Sequence, residues 1–343
     1  MNMGRGKCVE MEGEMKSLMK VWVSVLISLC YCYFISSKLP KGMLRFVSLS
    51  PVLYQFSMLP LQLSSVLPTG VTAFFITFLT NSKLLLFTFH LGPLSSNSIT
   101  LLHFFSSACF PITQTLKPHT KLKFHPIFLP IKVLLFALLL IPINQKLHPT
   151  LLLSLYCTLV YLLLDIIIGL CNILVNAAFR VQLQLPSDEP YLSTSLRDFW
   201  ARRWNLTVTH TLRHTVYNPV RSLLSDSLLG PQWAWVCGVM ATFLVSGLMH
   251  ELIFYYVTRV GPTWEVTCFF LLHGVCVVAE FGATKWLGRK CRLHWAVTGP
   301  ITVGFVIATA GWLFFPPLMR SGADQRSITE FNNVVECVTG IFY

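Results

Sequence analysis

Among the ionisable side chains within long apolar stretches of this chain, five stand out: Asp165, His250, Glu251, His273 and Glu280. At membrane depth such a group is unfavourable by roughly 2.5–3.5 kcal/mol on insertion scales, so each is a candidate for function. His250 has the sharpest setting. It lies in Ala241-Thr-Phe-Leu-Val-Ser-Gly-Leu-Met-His-Glu-Leu-Ile-Phe-Tyr-Tyr256, apolar on both sides. Helical spacing places Gly247 and Ser246 one turn earlier, leaving room for a substrate or another helix to approach the imidazole. A neutral imidazole is suited to taking a proton near neutral pH. It is equally suited to a hydrogen bond with a neighbouring helix and no chemistry at all. A zinc-protease reading of the His250-Glu251 pair fails, because it needs a second His four residues on and position 254 is Phe.

The second constellation is Ser195-Leu-Arg-Asp-Phe-Trp-Ala-Arg-Arg-Trp-Asn205. Arg202 and Arg203 beside Trp200 and Trp204 could hold an anionic phosphate by paired hydrogen bonds and stacking. Arg and Trp also gather where a helix lies along lipid headgroups, and composition favours that interfacial reading. Asn205-Leu-Thr207 reads as a glycosylation sequon, expected to stay unmodified on a cytosolic segment. There is no phosphate-binding GxxxxGK[ST], no GxGxxG and no GxSxG nucleophile elbow. The acyltransferase signatures HHxxxDG and HxxxxD are absent too. Any chemistry rests on a sparse set of side chains.

The elements that must position these groups are membrane helices. Of 343 residues, 54% are hydrophobic and 12% charged, about half the charge of an ordinary soluble domain. Apolar runs of roughly 20 residues match the hydrocarbon thickness. Eight segments qualify: 19–37, 46–64, 66–91, 127–143, 149–175, 233–258, 264–284 and 295–315, with Pro51, Pro60 and Pro68 interrupting the second and third. With eight spans, sixteen Lys and Arg fall on one side and eight on the other, which places both chain ends opposite the cytosol. The polar segment 176–232 then faces the cytosol. The net charge of +12 sits between apolar runs, where it orients the protein and meets anionic headgroups rather than nucleic acid. Eleven cysteines without a CxxC read as small buried hydrophobes, not a zinc site. The first apolar run, from about Leu18, lacks a small-residue cleavage site and reads as a span rather than a signal peptide. No repeated halves of transporter type are visible, which weighs against a transporter. A structural membrane protein would instead leave His250 and Asn205 replaceable. The expected fold is an all-α polytopic transmembrane bundle, one domain over 1–343, with 176–285 its most motif-rich region.

Pro190-Tyr-Leu-Ser-Thr-Ser-Leu-Arg-Asp-Phe-Trp-Ala-Arg-Arg-Trp-Asn205 and Val245-Ser-Gly-Leu-Met-His-Glu251 closely resemble the plant wax synthase family of membrane-bound O-acyltransferases. The resemblance extends to Asn81–Ser95, Trp264–Cys276 and Gly311–Phe314. It implies an endoplasmic-reticulum enzyme with an internal tunnel, transferring fatty acyl groups from acyl-CoA to a long-chain alcohol. Plant sterol acyltransferases share these motifs, so a sterol is the alternative acceptor. The family's intramembrane histidine falls on His250 and its upstream asparagine on Asn205, the implied catalytic pair. Trp200, Arg202, Arg203, Trp204 and Glu251 are the implied substrate contacts, and no cofactor or metal is needed, acyl-CoA being a substrate. The chain departs from the family pattern at Pro186–Glu189, Arg197 and Ala201.

Overall fold

In lipid, a backbone N–H or C=O left without a partner costs several kcal/mol, and a helix satisfies both groups within its own segment. The computed structural model describes residues 2–95, 100–110, 128–144, 147–179, 187–225, 230–287 and 294–340. All regular elements among them are helical. Six helices are long and apolar enough to cross a bilayer: Val9–Lys38, Val66–Thr88, Pro149–Ala177, Gly230–Thr258, Glu265–Trp286 and Trp295–Arg320. Two expected spans are shorter. The segment expected at 46–64 is the 16-residue helix Met43–Met58, and that at 127–143 the 13-residue Phe128–Leu140. At 1.5 Å per residue they reach about 24 and 20 Å, short of the roughly 30 Å of hydrocarbon. Beyond Met58 the chain tightens into the 3-10 turn Leu59–Gln62, with Pro60 at its start. The basic stretches 111–127, 180–186 and 288–293, with the departure at Pro186, lie outside the described residues.

The chain divides into two units. The first comprises Met1–Cys109, Met249–Thr263 and Pro316–Tyr343. Its polar side chains knit helix to helix: Ser28 donates to Gln55 at 2.8 Å, and Tyr256 to the Ser57 carbonyl at 2.6 Å. The start of the Val66 helix, whose first N–H groups lack intrahelical partners, is closed by two carboxylates. Glu14 accepts from Ser64 and Ser65, and Glu330 from Val66 and Leu67. Negative charge there also complements the helix dipole.

The second unit comprises Phe110–Leu248 and Trp264–Phe315. Asp165 pairs with Lys132 across two of its helices, the internal partnership by which an ionised group is tolerated in apolar surroundings. Small residues let helices approach closely. A Cβ on Gly247 would meet the Thr267 Cα at 2.9 Å, and one on Gly274 the Phe243 ring at 3.1 Å. The space beside His250's preceding turn is therefore filled by the backbone of the Glu265 helix. Gly247→Ala is expected to cost about 1–3 kcal/mol by overpacking. Gly304→Ala, whose Cβ would meet nothing within 4 Å, is the control. Thermal unfolding in detergent should show a lower midpoint for the first substitution alone.

Candidate functional site

The polar segment of the second unit is held in place by hydrogen bonds between side chains and its backbone. Ser195 caps a short turn by accepting from the Asp198 N–H at 3.0 Å. From the membrane helix Glu265–Leu287, Glu280 accepts from the N–H groups of Leu196 and Arg197 at 2.9 and 3.4 Å. The chain then widens into a π turn, Phe199–Arg203, closed by the Trp204 N–H donating to the Phe199 carbonyl five residues back. Such turns are rare and concentrate at functional sites.

Each side chain of that turn has a defined place. Arg203 donates to the Asp198 carboxylate at 2.8 Å and to the Asp188 and Glu189 carbonyls at 3.1 and 3.3 Å. Its guanidinium, expected at a substrate, clamps the loop onto itself. Arg202 is exposed and makes no hydrogen bond or ion pair among the described residues. Trp204 stacks on Phe199, with centroids 5.4 Å apart and 14° between planes.

Trp200 points into the helices. Its indole donates to His273 Nδ1 at 3.0 Å, and His273 Nε2 lies 2.9 Å from Thr309 Oγ1. The Thr309 hydroxyl donates to the Phe305 carbonyl at 2.7 Å. An indole N–H can only donate, so Nδ1 is the acceptor and Nε2 carries the proton that Thr309 receives. One tautomer satisfies the whole chain, and both ring nitrogens of the fully buried His273 are committed. His273, a candidate for chemistry by its depth, is an anchor. His273→Leu would orphan the buried indole N–H and is expected to cost about 1–3 kcal/mol. His273→Gln, whose amide can accept and donate, should restore part of that, as measured by thermal unfolding.

The anchored Trp200 fixes the neighbouring backbone. Thr209 donates its hydroxyl to the Trp200 carbonyl at 3.0 Å, which holds the helix Leu206–Leu212 whose N-cap is Asn205. Asn205 takes a left-handed conformation (φ 35°, ψ 70°), which Asn tolerates better than most residues. Its Oδ1 accepts from the Val208 N–H at 3.2 Å. Its Nδ2, which can donate two hydrogen bonds, has no partner among the described residues. The residue is 9% exposed. Asn205 is thus a nearly buried, rigidly held amide with its N–H groups uncommitted. Beyond it, burial together with His214 and Arg213 holds the His210 imidazole below its usual pKa.

His250 and Glu251 lie on the helix Gly230–Thr258, which contributes 230–248 to the second unit and 249–258 to the first. His250 is half-buried and Glu251 is 4% exposed. The helix starts three residues before the expected 233, placing His250 about 30 Å from its first residue and about 12 Å from its last at 1.5 Å per residue. The structure therefore gathers Trp200, Arg203, Trp204 and Asn205 in the second unit, with His250 and Glu251 in the first.

Two buried cations escaped the list of candidates drawn from sequence. Lys83, inside an apolar run, donates to the Ser107 carbonyl at 2.6 Å. It was visible as a charge at membrane depth. Arg45, at a span end, gave no such signal and is also buried.

Residues 185–272 match the model of the membrane bound O-acyl transferase family. Over almost its full length the chain is similar to curated plant proteins. The long-chain-alcohol O-fatty-acyltransferase of Simmondsia chinensis is 42% identical across 94% of this chain and 95% of its own length. The probable long-chain-alcohol O-fatty-acyltransferase 3 of Arabidopsis thaliana is 44% identical across 93% and 94%. The probable long-chain-alcohol O-fatty-acyltransferase 2 of the same plant is 42% identical across 96% and 97%.

Proposed function

This chain belongs to the long-chain-alcohol O-fatty-acyltransferases, and from that premise we propose that it joins the acyl group of a fatty acyl-CoA to a long-chain alcohol, releasing a wax ester and CoA. The observation that carries this reading is similarity along almost the whole chain to relatives named for that reaction.

His250 is the general base. Its neutral imidazole removes the proton from the alcohol as the alcohol oxygen attacks the thioester carbonyl. The tetrahedral intermediate expels CoA thiolate, which recovers the proton from the imidazolium. Thiolate leaves readily, so no Ser or Cys nucleophile and no cofactor is required. Asn205 donates from Nδ2 to the carbonyl oxygen as negative charge grows there; such donors are aimed at the transition state rather than the ground state. Its backbone, pinned through Thr209, Trp200 and His273, costs no reorganisation when the charge develops. Of the two arginines beside it, Arg202 retains its donors for the CoA phosphates. Trp200, Trp204 and Glu251 shape and support the substrate path. Holding two lipid-sized reactants in register could supply a further 7–11 kcal/mol or so of the barrier.

The alcohol dissolves in the bilayer, whereas the CoA group is anionic and water-soluble, so the site is a tunnel open to both. The membrane is that of the endoplasmic reticulum, with the 176–232 segment on the cytosolic side.

The acceptor is tested with microsomes from yeast lacking its own sterol and wax esterification, given labelled acyl-CoA with either a long-chain alcohol or a sterol. Wax ester should form in clear excess. Sterol ester alone would overturn the acceptor while leaving acyl transfer intact.

A further inference from the structure

Within the first unit lies a cleft of about 380 Å³ lined by none of the residues assigned to acyl transfer. Lys38, Arg45 and His90 bring positive charge or a titratable ring to it, and Ser37 and Ser95 bring hydroxyls. Phe87 and Phe104, in edge-to-face contact at 5.8 Å, form an aromatic wall. The cleft lies beside two stapled helix ends. The Gly42 N–H donates to the Thr88 carbonyl at 2.9 Å, tying the turn before Met43 to the end of the Val66 helix. That helix closes with the Leu91 N–H on the Leu86 carbonyl and His90 at φ 60°, a left-handed helix stop.

Arg45 is the centre of the cleft's electrostatics. It is 6% exposed. Its guanidinium donates to the carbonyls of Leu39, Ser37 and Phe87, and lies 4.7 Å from the Phe87 ring centroid. Four of its five N–H groups are thereby committed, and one on Nη1 remains. No carboxylate pairs with it among the described residues. Carbonyls and a ring face orient a guanidinium but leave its unit charge unneutralised, and burial lowers its pKa from the ordinary value. The lack of a counter-ion extends along the chain. Between Glu14 and Asp165 there is no Asp or Glu at all, against eleven Lys and Arg. A preorganised, nearly buried cation beside an exposed lysine, hydroxyls and aromatic rings matches an anion attached to an apolar or aromatic body.

We propose that this cleft is a binding subsite for the phosphate group of an amphiphile, with Arg45 and Lys38 meeting the phosphate and the Phe87 and Phe104 rings meeting the attached body. The same chemistry is presented by an anionic phospholipid and by the nucleotide end of an acyl-CoA. The inference stands on the first unit's own residues and does not depend on acyl transfer.

The test uses the full chain in nanodiscs of phosphatidylcholine and equilibrium binding of two labelled probes, dioctanoyl phosphatidic acid and unacylated CoA. At least one should bind saturably and lose affinity as salt rises, and Lys38→Glu should weaken that binding tenfold or more while Lys38→Arg retains it. Saturation by phosphatidic acid alone identifies a lipid headgroup site, and saturation by CoA identifies the donor's nucleotide end. Binding of neither probe above a phosphatidylcholine control overturns the proposal, as does equal binding by native protein and Lys38→Glu. Lys38 lies on an exposed turn, and the Lys38→Arg arm separates charge from misfolding. Ester formation by the same preparations is read separately, so its failure would bear on the proposed reaction and not on this site.

Discussion

His250→Ala is expected to lower ester formation by about 10²–10⁴-fold, the usual contribution of a positioned general base. The side chain is half-buried on a long helix, so the truncation leaves the backbone ladder intact and any fall in unfolding midpoint should be small beside the loss of rate. The loss should appear in kcat, because proton removal belongs to the transition state and not to substrate binding. His250→Gln, which keeps a polar side chain but offers no basic nitrogen, should be equally impaired. A merely structural histidine would predict partial rescue by Gln and a fall in stability that parallels any fall in rate.

Asn205 carries two duties, and one substitution separates them. Its Oδ1 caps the Leu206–Leu212 helix, while its uncommitted Nδ2 is assigned to the thioester oxygen. Asn205→Asp keeps a capping acceptor and a residue type that accepts the left-handed conformation. It replaces the donor with a second acceptor bearing negative charge, where negative charge must develop. A loss of about 10²–10³-fold in kcat is expected, the range seen when one oxyanion donor is removed, with a near-native unfolding midpoint. Asn205→Ala should lose both functions, adding about 0.5–2 kcal/mol of destabilisation from the missing cap. If Asn205→Asp retained full activity, the amide would have no part in the chemistry.

The membrane helices were legible because length and apolarity are local properties of the chain. Gly230–Thr258 and Pro149–Ala177 follow the expected 233–258 and 149–175 within a few residues. The segments at 46–64 and 127–143 misled because an apolar run does not reveal where its helix stops. Prolines at 51 and 60 signalled the interruption without its extent. Asp165 and Glu280 stood out in sequence only as charges at membrane depth, and the structure pairs them with Lys132 and with the N–H groups of Leu196 and Arg197. What sequence could not show was pairing between distant segments. His273 announced itself by depth, yet Thr309, which decides its tautomer, is an ordinary hydroxyl 36 positions away. Arg203 looked like a ligand for phosphate because two of its three loop partners are backbone carbonyls, which carry no sequence signature. Gly247 was correctly marked as a place of close approach, but only the fold shows that the Thr267 backbone fills it.

The most direct test of the account is a product analysis of the purified full chain with acyl-labelled acyl-CoA, quenched over time with and without long-chain alcohol. Direct transfer predicts that wax ester and free CoA appear in equal amounts, only when alcohol is present, with no label retained on the denatured protein. CoA released without alcohol together with label covalently held by the chain would contradict it, and would move the chemistry from His250 as base to a nucleophile on the protein.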